Sequence, residues 1–596
     1  MIKKITASPK SSPPEAEGAI NTMKNPENLQ DKHPASFPFG VPIIIGRGWA
    51  FTIILFFTFN IIFGQVAPDK YWIQFTDKNN TPYSISNPQD FLTQKAIDRR
   101  TDQNITIVEN DLPVDPVYID SLENLGLTIL NVSKWINAVT VYTTDTLLID
   151  TIENISFIAN SSKVGILKSN NVSDNFFNAD LPIVNNTKSI KLFYDYGAAS
   201  NQITMLNGHE LHDLGYRGQG MLIAVIDAGF FNVDSFPVFD SLWANNQIIA
   251  TRDFVTSGSN IFDQHSHGMS VFSIIAGNLP GQLIGTAPEA DYLLLRSEDA
   301  GSEFTIEEDN WISAAEYADS LGVDIINTSL GYETFDDASQ DYTYNDMDGN
   351  TAKITIGADI ASSKGILVVI SAGNSGDKPW HYVSAPADAD SVLTVGSVDA
   401  TGVYSSFSST GPTVDGRIKP NITAQGGNTA CQTAGGSIGF GNGTSLSAPI
   451  ITGLAACLWQ ANPDVTSMEL IEYIEKSANQ YYSPDSLLGH GLPDFALAHL
   501  LIQIKDENIL NEDYYKFYPN PFANEINAEF LLADSQIVTI EIFNVLGKTV
   551  YSNKIKKSHT MYNKIKINNL SNFESGIYII KLTTENKVYQ GKILKN

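Results

Sequence analysis

The chain has 596 residues, too many for one hydrophobic core, so several domains are expected. At 43% hydrophobic and 10% aromatic it has the make-up of folded protein, which excludes a low-complexity or disordered polypeptide. A formal charge of −29 argues against nucleic acid and anionic membranes as partners, and two cysteines, Cys431 and Cys457, exclude a disulfide scaffold and read as isolated buried thiols, with a single pair between them the competing reading.

Residues 1–65 are expected to be a polar lead followed by an export signal. The apolar run Trp49 to Phe63 is short for a spanning helix and has the length of a signal-peptide core. A membrane anchor is the competing reading.

Residues 66–195 form the next unit and its linker. Tyr71 to Phe75 alternates as a strand, and Phe91 to Arg100 has a helical pattern. Asp115-Pro116 is an N-cap followed by proline at the first helical position. Strands are predicted at Leu127 to Leu130, Ala138 to Tyr142 and Ile155 to Ala159, with a helix from Thr143 to Ile152. This order predicts a small ferredoxin-like α+β domain. No paired carboxylates or clustered histidines give it chemistry. Its place before a larger domain suggests a folding aid or inhibitor, and the Asn- and Ser-rich stretch after Asn160 reads as a linker open to cleavage.

Residues 196–505 alternate strands and helices. Met221 to Ile226, Tyr292 to Leu295, Val323 to Asn327, Ile366 to Ile370 and Val392 to Val395 are short β-branched runs suited to a parallel sheet buried on both faces. Helices are predicted at Met269 to Ala276, Trp311 to Leu321, Thr351 to Lys364 and Ser445 to Ala461. The expected fold class is α/β, with a doubly wound, mostly parallel sheet and helices on both faces. Ligands then bind beyond the carboxyl ends of the strands. Asp227 ends the first strand, His267 opens the helix that follows, and Asn374 comes just after the fourth strand. Ser445 stands at a helix start, behind Gly441-Asn442-Gly443, with Pro449 expected in the first turn. A serine is nucleophilic once a base takes its proton. His267 could be that base and Asp227 its orienting partner, while the Asn374 amide and the Ser445 N–H could hold an oxyanion.

The domain resembles the subtilisin family of serine endopeptidases. The carrying motifs are V-I-D-A-G at Asp227, H-G-M-S-V at His267, S-L-G at 329–331, S-A-G-N at Asn374 and G-T-S-L-S-A-P at Ser445. The resemblance implies a catalytic triad of Asp227, His267 and Ser445, an oxyanion hole at Asn374, and a substrate-binding edge at Ser329, Leu330 and Gly331. His267 is preferred to His265 because Gly268 follows it. The family usually carries a threonine and a second histidine where Met269 and Ser270 stand here; altered packing is expected there. The resemblance also implies a peptide or protein substrate, a prodomain that blocks the cleft until it is cut away, no required cofactor, and structural calcium in some relatives. Two acidic insertions, Glu298 to Asp309 and Asp336 to Asp348, stand at the edges of this domain, and only the second is weighed as an ion site, against a solvated acidic loop. D-M-D-G-N at 346–350 has calcium-loop character but lacks the later glutamate of an EF-hand. No metal ligand is assigned.

Residues 513–596 change character. From Asp506 onward 11 lysines face 10 acidic residues, a local balance of +1. Short strands at Ile537 to Phe543, Thr549 to Tyr551, Lys564 to Ile567, Ile577 to Leu582 and Val588 to Ile593 predict a small β-sandwich. With Y-P-N-P at 518–521 and the hairpin I-F-N-V-L-G-K at 542–548, the tail resembles the C-terminal sorting domain of the type IX secretion system of Bacteroidetes. That implies export through this machinery to the medium or the outer cell surface. The competing reading is an adhesive, carbohydrate-binding sandwich. For the whole chain the expectation is a secreted serine endopeptidase made as a zymogen, against a catalytically silent surface protein that binds peptides or glycans.

Overall fold

A computed structural model describes residues 69–166, 194–504, 514–531, 536–557, 562–585 and 587–596. The export-signal reading at Trp49 to Phe63 lies outside these residues. Among the described residues, no helix is long and apolar enough to cross a membrane.

Strands β1 (Asp69–Phe75), β2 (Thr128–Ser133), β3 (Ala138–Thr143) and β4 (Ile158–Ile166) make an antiparallel sheet in the order β2-β3-β1-β4. Three helices accompany it: α1 (Gln94–Asp102), α2 (Pro116–Asn124) and α3 (Thr146–Ile152). This is the expected ferredoxin-like order. The first helix begins later than predicted because Thr93 caps it, its side chain accepting from Ala96 N. The last strand runs on to Ile166, paired along its length with β1.

The larger sheet has seven strands: β5 (Leu222–Asp227), β6 (Ile248–Asp253), β7 (Asp291–Arg296), β8 (Ile325–Thr328), β9 (Leu367–Ser371), β10 (Leu393–Val398) and β11 (Ile422–Gln425). Their order is β11-β10-β9-β8-β5-β7-β6, and every pairing is parallel. Strands β6 and β11 were not read from the sequence. β6 is an edge strand with alternating exposure, and Ile422 to Gln425 is only four residues long. One face of the sheet is covered by α4 (His267–Ala276) and α7 (Thr444–Ala461), the other by α5 (Ile306–Leu321) and α6 (Lys353–Ser363). Gly322, at φ +84°, ends α5 in a left-handed turn. Cys431 and Cys457 are free and buried in the first of these cores.

The tail forms a three-stranded sheet (Tyr515–Tyr518, Ile526–Leu531, Tyr562–Ile567) and a four-stranded sheet (Gln536–Asn544, Thr549–Lys557, Gly576–Thr583, Val588–Lys595). Phe530 and Ile567 from one meet Ile540 and Ile580 from the other in a single core, as a sandwich requires.

Burial has a cost at His212. Its Nδ1 lies 2.8 Å from the Tyr196 hydroxyl and its Nε2 2.9 Å from Thr286 O, and desolvation lowers its pKa to about 4. The unfolded chain, with an ordinary imidazole near 6.5, therefore takes up the proton first as pH falls. Stability is full above about pH 6.5, declines between there and about 4, and in that window roughly 3 kcal/mol is lost. Urea unfolding at pH 7 and pH 4, compared with His212→Gln, measures this loss.

Candidate active site

The carboxyl ends of β5 and β9 and the starts of α4 and α7 bring the expected residues into two pairs, Asp227 with His267 and Asn374 with Ser445. Asp227, the last residue of β5, is fully buried. Its Oδ1 accepts from Ala228 N at 2.8 Å and lies 2.6 Å from His267 Nδ1. This geometry places His267 on the carboxylate; His265 lies beside it, with its Nδ1 accepting from His267 N at 3.2 Å. Gly268 permits the approach. A Cβ there would stand 2.5 Å from Gly229 O and 2.8 Å from Asp227 Cβ, inside contact distance. Met269 is buried in the core, and Ser270 donates to Gln432 O at 2.8 Å, so these two departures from the family pattern serve packing.

Ser445 is the second residue of α7 and is 6% exposed. Its N–H belongs to the first helical turn, where the helix supplies no acceptor and the dipole favours negative charge. Pro449 is not in that first turn. It sits inside the helix, where its missing N–H would have bonded the carbonyl four residues back, that of Ser445. The Ser329 hydroxyl donates to that carbonyl instead, at 3.1 Å. Ser329 therefore braces the serine as well as beginning the 329–331 edge.

Asn374 is oriented by Thr444. Its Oδ1 accepts from Thr444 N at 2.9 Å and Thr444 Oγ1 at 3.1 Å. The amide lies beside Ser445: a Cβ on Gly443 would meet Ser445 Oγ at 2.9 Å, Asn374 Nδ2 at 3.6 Å and Asn374 Oδ1 at 3.8 Å. Gly443, at φ +151°, thus leaves the space between Ser445 and Asn374 free of a side chain. Sequence reasoning missed the roles of Thr444 and Gly443, although both lie inside the G-T-S motif. The helices that begin at His267 and at Thr444 pack against one another in one core, which fixes the two halves of the site.

The acidic stretches divide. Asp348 Oδ1 accepts from Asn350 N and Thr351 N, both at 2.8 Å, and Asp346 Oδ2 accepts from Thr343 N and Oγ1, both at 2.7 Å. These oxygens close turns, the ordinary use of aspartate in a loop. Glu298, Glu303 and Glu307 instead gather, each offering an oxygen within 4.8 Å of the others. Burial pushes Glu298 up to about 7 and the other two well above the carboxylate range.

The smaller domain docks on α5. Asp319, fully buried, receives Arg99 Nη2 at 2.5 Å, Arg100 Nη2 at 2.9 Å and Lys134 Nζ at 3.2 Å. One turn earlier, Glu316 accepts from Lys134 N at 2.7 Å and Trp135 N at 2.9 Å.

A serine at a helix start, an imidazole on a buried carboxylate and an amide with its oxygen pinned are the parts of a serine-dependent acyl-transfer enzyme. The profile of the subtilase family matches residues 218–491, that of the Bacteroidota peptidase S8 propeptide domain residues 70–176, and that of the secretion system C-terminal sorting domain residues 516–596. Subtilisin E of Bacillus subtilis (strain 168) is 31% identical over 294 residues, spanning 49% of this chain and 68% of its own. Subtilisin of Bacillus pumilus is also 31% identical over 294 residues, 49% of this chain and 94% of its own. The crystal structure of MycP1 with the N-terminal propeptide removed aligns with 50% of this chain and 96% of its own, at 25% identity and a TM-score of 0.40. This chain belongs to the subtilase family. It is a subtilisin-like serine endopeptidase made with a propeptide, and its sorting domain marks it for secretion or the outer cell surface.

Proposed function

We propose that Ser445, His267 and Asp227 carry out peptide-bond hydrolysis through an acyl-enzyme. The single observation that supports this most is the 2.6 Å contact between His267 and buried Asp227, which fixes the imidazole tautomer with its other nitrogen as base. His267 takes the Ser445 proton as Oγ attacks the scissile carbonyl, then gives it to the leaving amine. A water repeats the sequence to release the acid. Asn374 Nδ2 and the Ser445 N–H donate to the oxyanion, and an extended substrate pairs with Ser329, Leu330 and Gly331 as an added strand. Labelling of the purified protein with a fluorophosphonate tests the reading: the label should depend on both Ser445 and His267, and an unlabelled wild-type enzyme would reject it.

Asn374→Ala is expected to lower kcat by about 10²–10³, the loss seen for the equivalent change in subtilisin, with KM little altered. Steady-state kinetics on a quenched peptide measures it.

The units proposed are residues 1–65 as lead and export signal, 66–195 as prodomain and linker, 196–505 as peptidase and 513–596 as sorting domain. The prodomain acts as inhibitor until the linker is cut, and the tail engages the type IX machinery. Any structural calcium serves stability and not the chemical step: EDTA should move the melting temperature if an ion is held, and leave fluorophosphonate labelling in place.

A further inference from the structure

One acidic group beside the site is unused by the chemistry above. Glu333 stands two residues beyond Gly331, and its carboxylate accepts from Ser375 Oγ at 3.1 Å and 3.2 Å. Ser375 is the neighbour of Asn374, so Glu333 bridges the end of the substrate edge to the oxyanion loop. Successive side chains on an extended segment point to opposite faces. Tyr332 accordingly turns to Glu298, while Glu333 turns to Ser375.

The two segments pack closely at glycines. A Cβ on Gly331 would meet Ser384 Oγ at 2.5 Å, and one on Gly373 would meet Ser409 Oγ at 2.8 Å and Ser384 Oγ at 3.1 Å. The two glycines thus make room for the buried side chains of Ser384 and Ser409, which lets the two segments pack closely beside Glu333. A substrate strand laid on residues 329–331, with its carbonyl oxygen at Asn374, would bring the side chain before the scissile bond toward Glu333. An apolar side chain there would cover the carboxylate without replacing its water. Lys378 is the basic group that bears on Glu333, but among the described residues no ion pair joins them. Burial already raises the carboxyl above its ordinary range, a penalty that a bound cation would remove.

We propose that Glu333 selects a lysine or arginine as the residue immediately before the scissile bond. The proposal rests on the catalytic reading above and adds a substrate class to it. The chain itself contains a fitting sequence. Strand β4 ends at Ile166, and a Cβ on Gly165 would touch Ile306 at 3.4 Å and Phe304 at 3.7 Å, residues that follow Glu298. Glu298 in turn meets Tyr332, the neighbour of Glu333. The first basic residue after β4 in the sequence is Lys168.

The test uses the secreted, mature enzyme and three internally quenched peptides: this chain's residues 163–172, and the same peptide with Lys168→Leu or Lys168→Glu. Cleavage after position 168 is expected, with kcat/KM at least about tenfold higher for lysine than for leucine, about the discrimination of a single paired charge. Glu333→Gln, which keeps the shape of the side chain, should collapse that ratio, whatever the absolute rate on the leucine peptide. Glu333→Lys should reverse it in favour of the glutamate peptide. Equal or better cleavage of the leucine peptide by the wild type, cleavage at another bond, or an unchanged ratio in Glu333→Gln would overturn the proposal with the catalytic reading intact. Absence of both fluorophosphonate labelling and cleavage of any peptide would overturn the catalytic reading, and this proposal with it.

Discussion

Ser445→Ala is expected to lower kcat by about 10⁶, the loss established for subtilisin, leaving about 10³–10⁴ over the uncatalysed reaction. In the proposed mechanism the hydroxyl is the only group that forms a bond to substrate, so no neighbour can substitute for it. Asn374, pinned by Thr444, and the first turn of α7 remain to polarise the carbonyl, which accounts for the residue of activity. The substitution removes one oxygen from a nearly buried site, and Ser329 still braces the carbonyl of residue 445, so the fold should be unchanged. The same variant should lose the fluorophosphonate label. If processing is self-catalysed, it should also accumulate with the prodomain attached, which mass spectrometry of the secreted protein would read.

Asp319→Asn is expected to weaken inhibition by the isolated prodomain by about 10²- to 4×10³-fold, from a loss of about 3–5 kcal/mol when one partner of a buried charge cluster is removed. Two guanidiniums and one ammonium converge on this carboxylate, all buried. Neutralising it leaves three like charges out of water, and the neighbouring Asp111 is already bound to Arg100 and Lys364. The mature enzyme is spared, because Asp319 then loses only its prodomain partners. Inhibition constants for the added prodomain, with kcat/KM as control, separate the two. The sign of the pH effect follows from the charges. Those cations hold the Asp319 carboxyl well below its ordinary range, so its contribution to docking is present above about pH 4 and is lost only as pH falls through the depressed value. Mild acid alone should not release the prodomain through this group.

Much of this arrangement was legible in the chain. The ferredoxin-like order, five of the seven parallel strands and the four covering helices follow from local hydrophobic pattern, because buried parallel strands are short apolar runs bounded by turns. The four candidate site residues could be picked out because strand ends and helix starts are local features, marked here by Asp227, His267, Asn374 and Ser445. The edge strand Ile248–Asp253 was not, since half its residues face water and its pairing to β7 is a non-local event. Pro449 was placed one turn too early because helix starts blur by a residue or two in sequence.

The sequence by itself determined which elements form, which residue types stand at their ends, and hence the family. Only the tertiary structure decided what those side chains do to one another. It set the Asp227–His267 contact, the Thr444 clamp on Asn374, the Ser329 bond that fills the gap left by Pro449, and the meeting of Glu333 with Ser375. The reason is physical. Secondary structure answers to neighbours within a few residues, whereas each of these bonds joins residues 40 to 116 positions apart and exists only once the sheet has set the strand ends side by side.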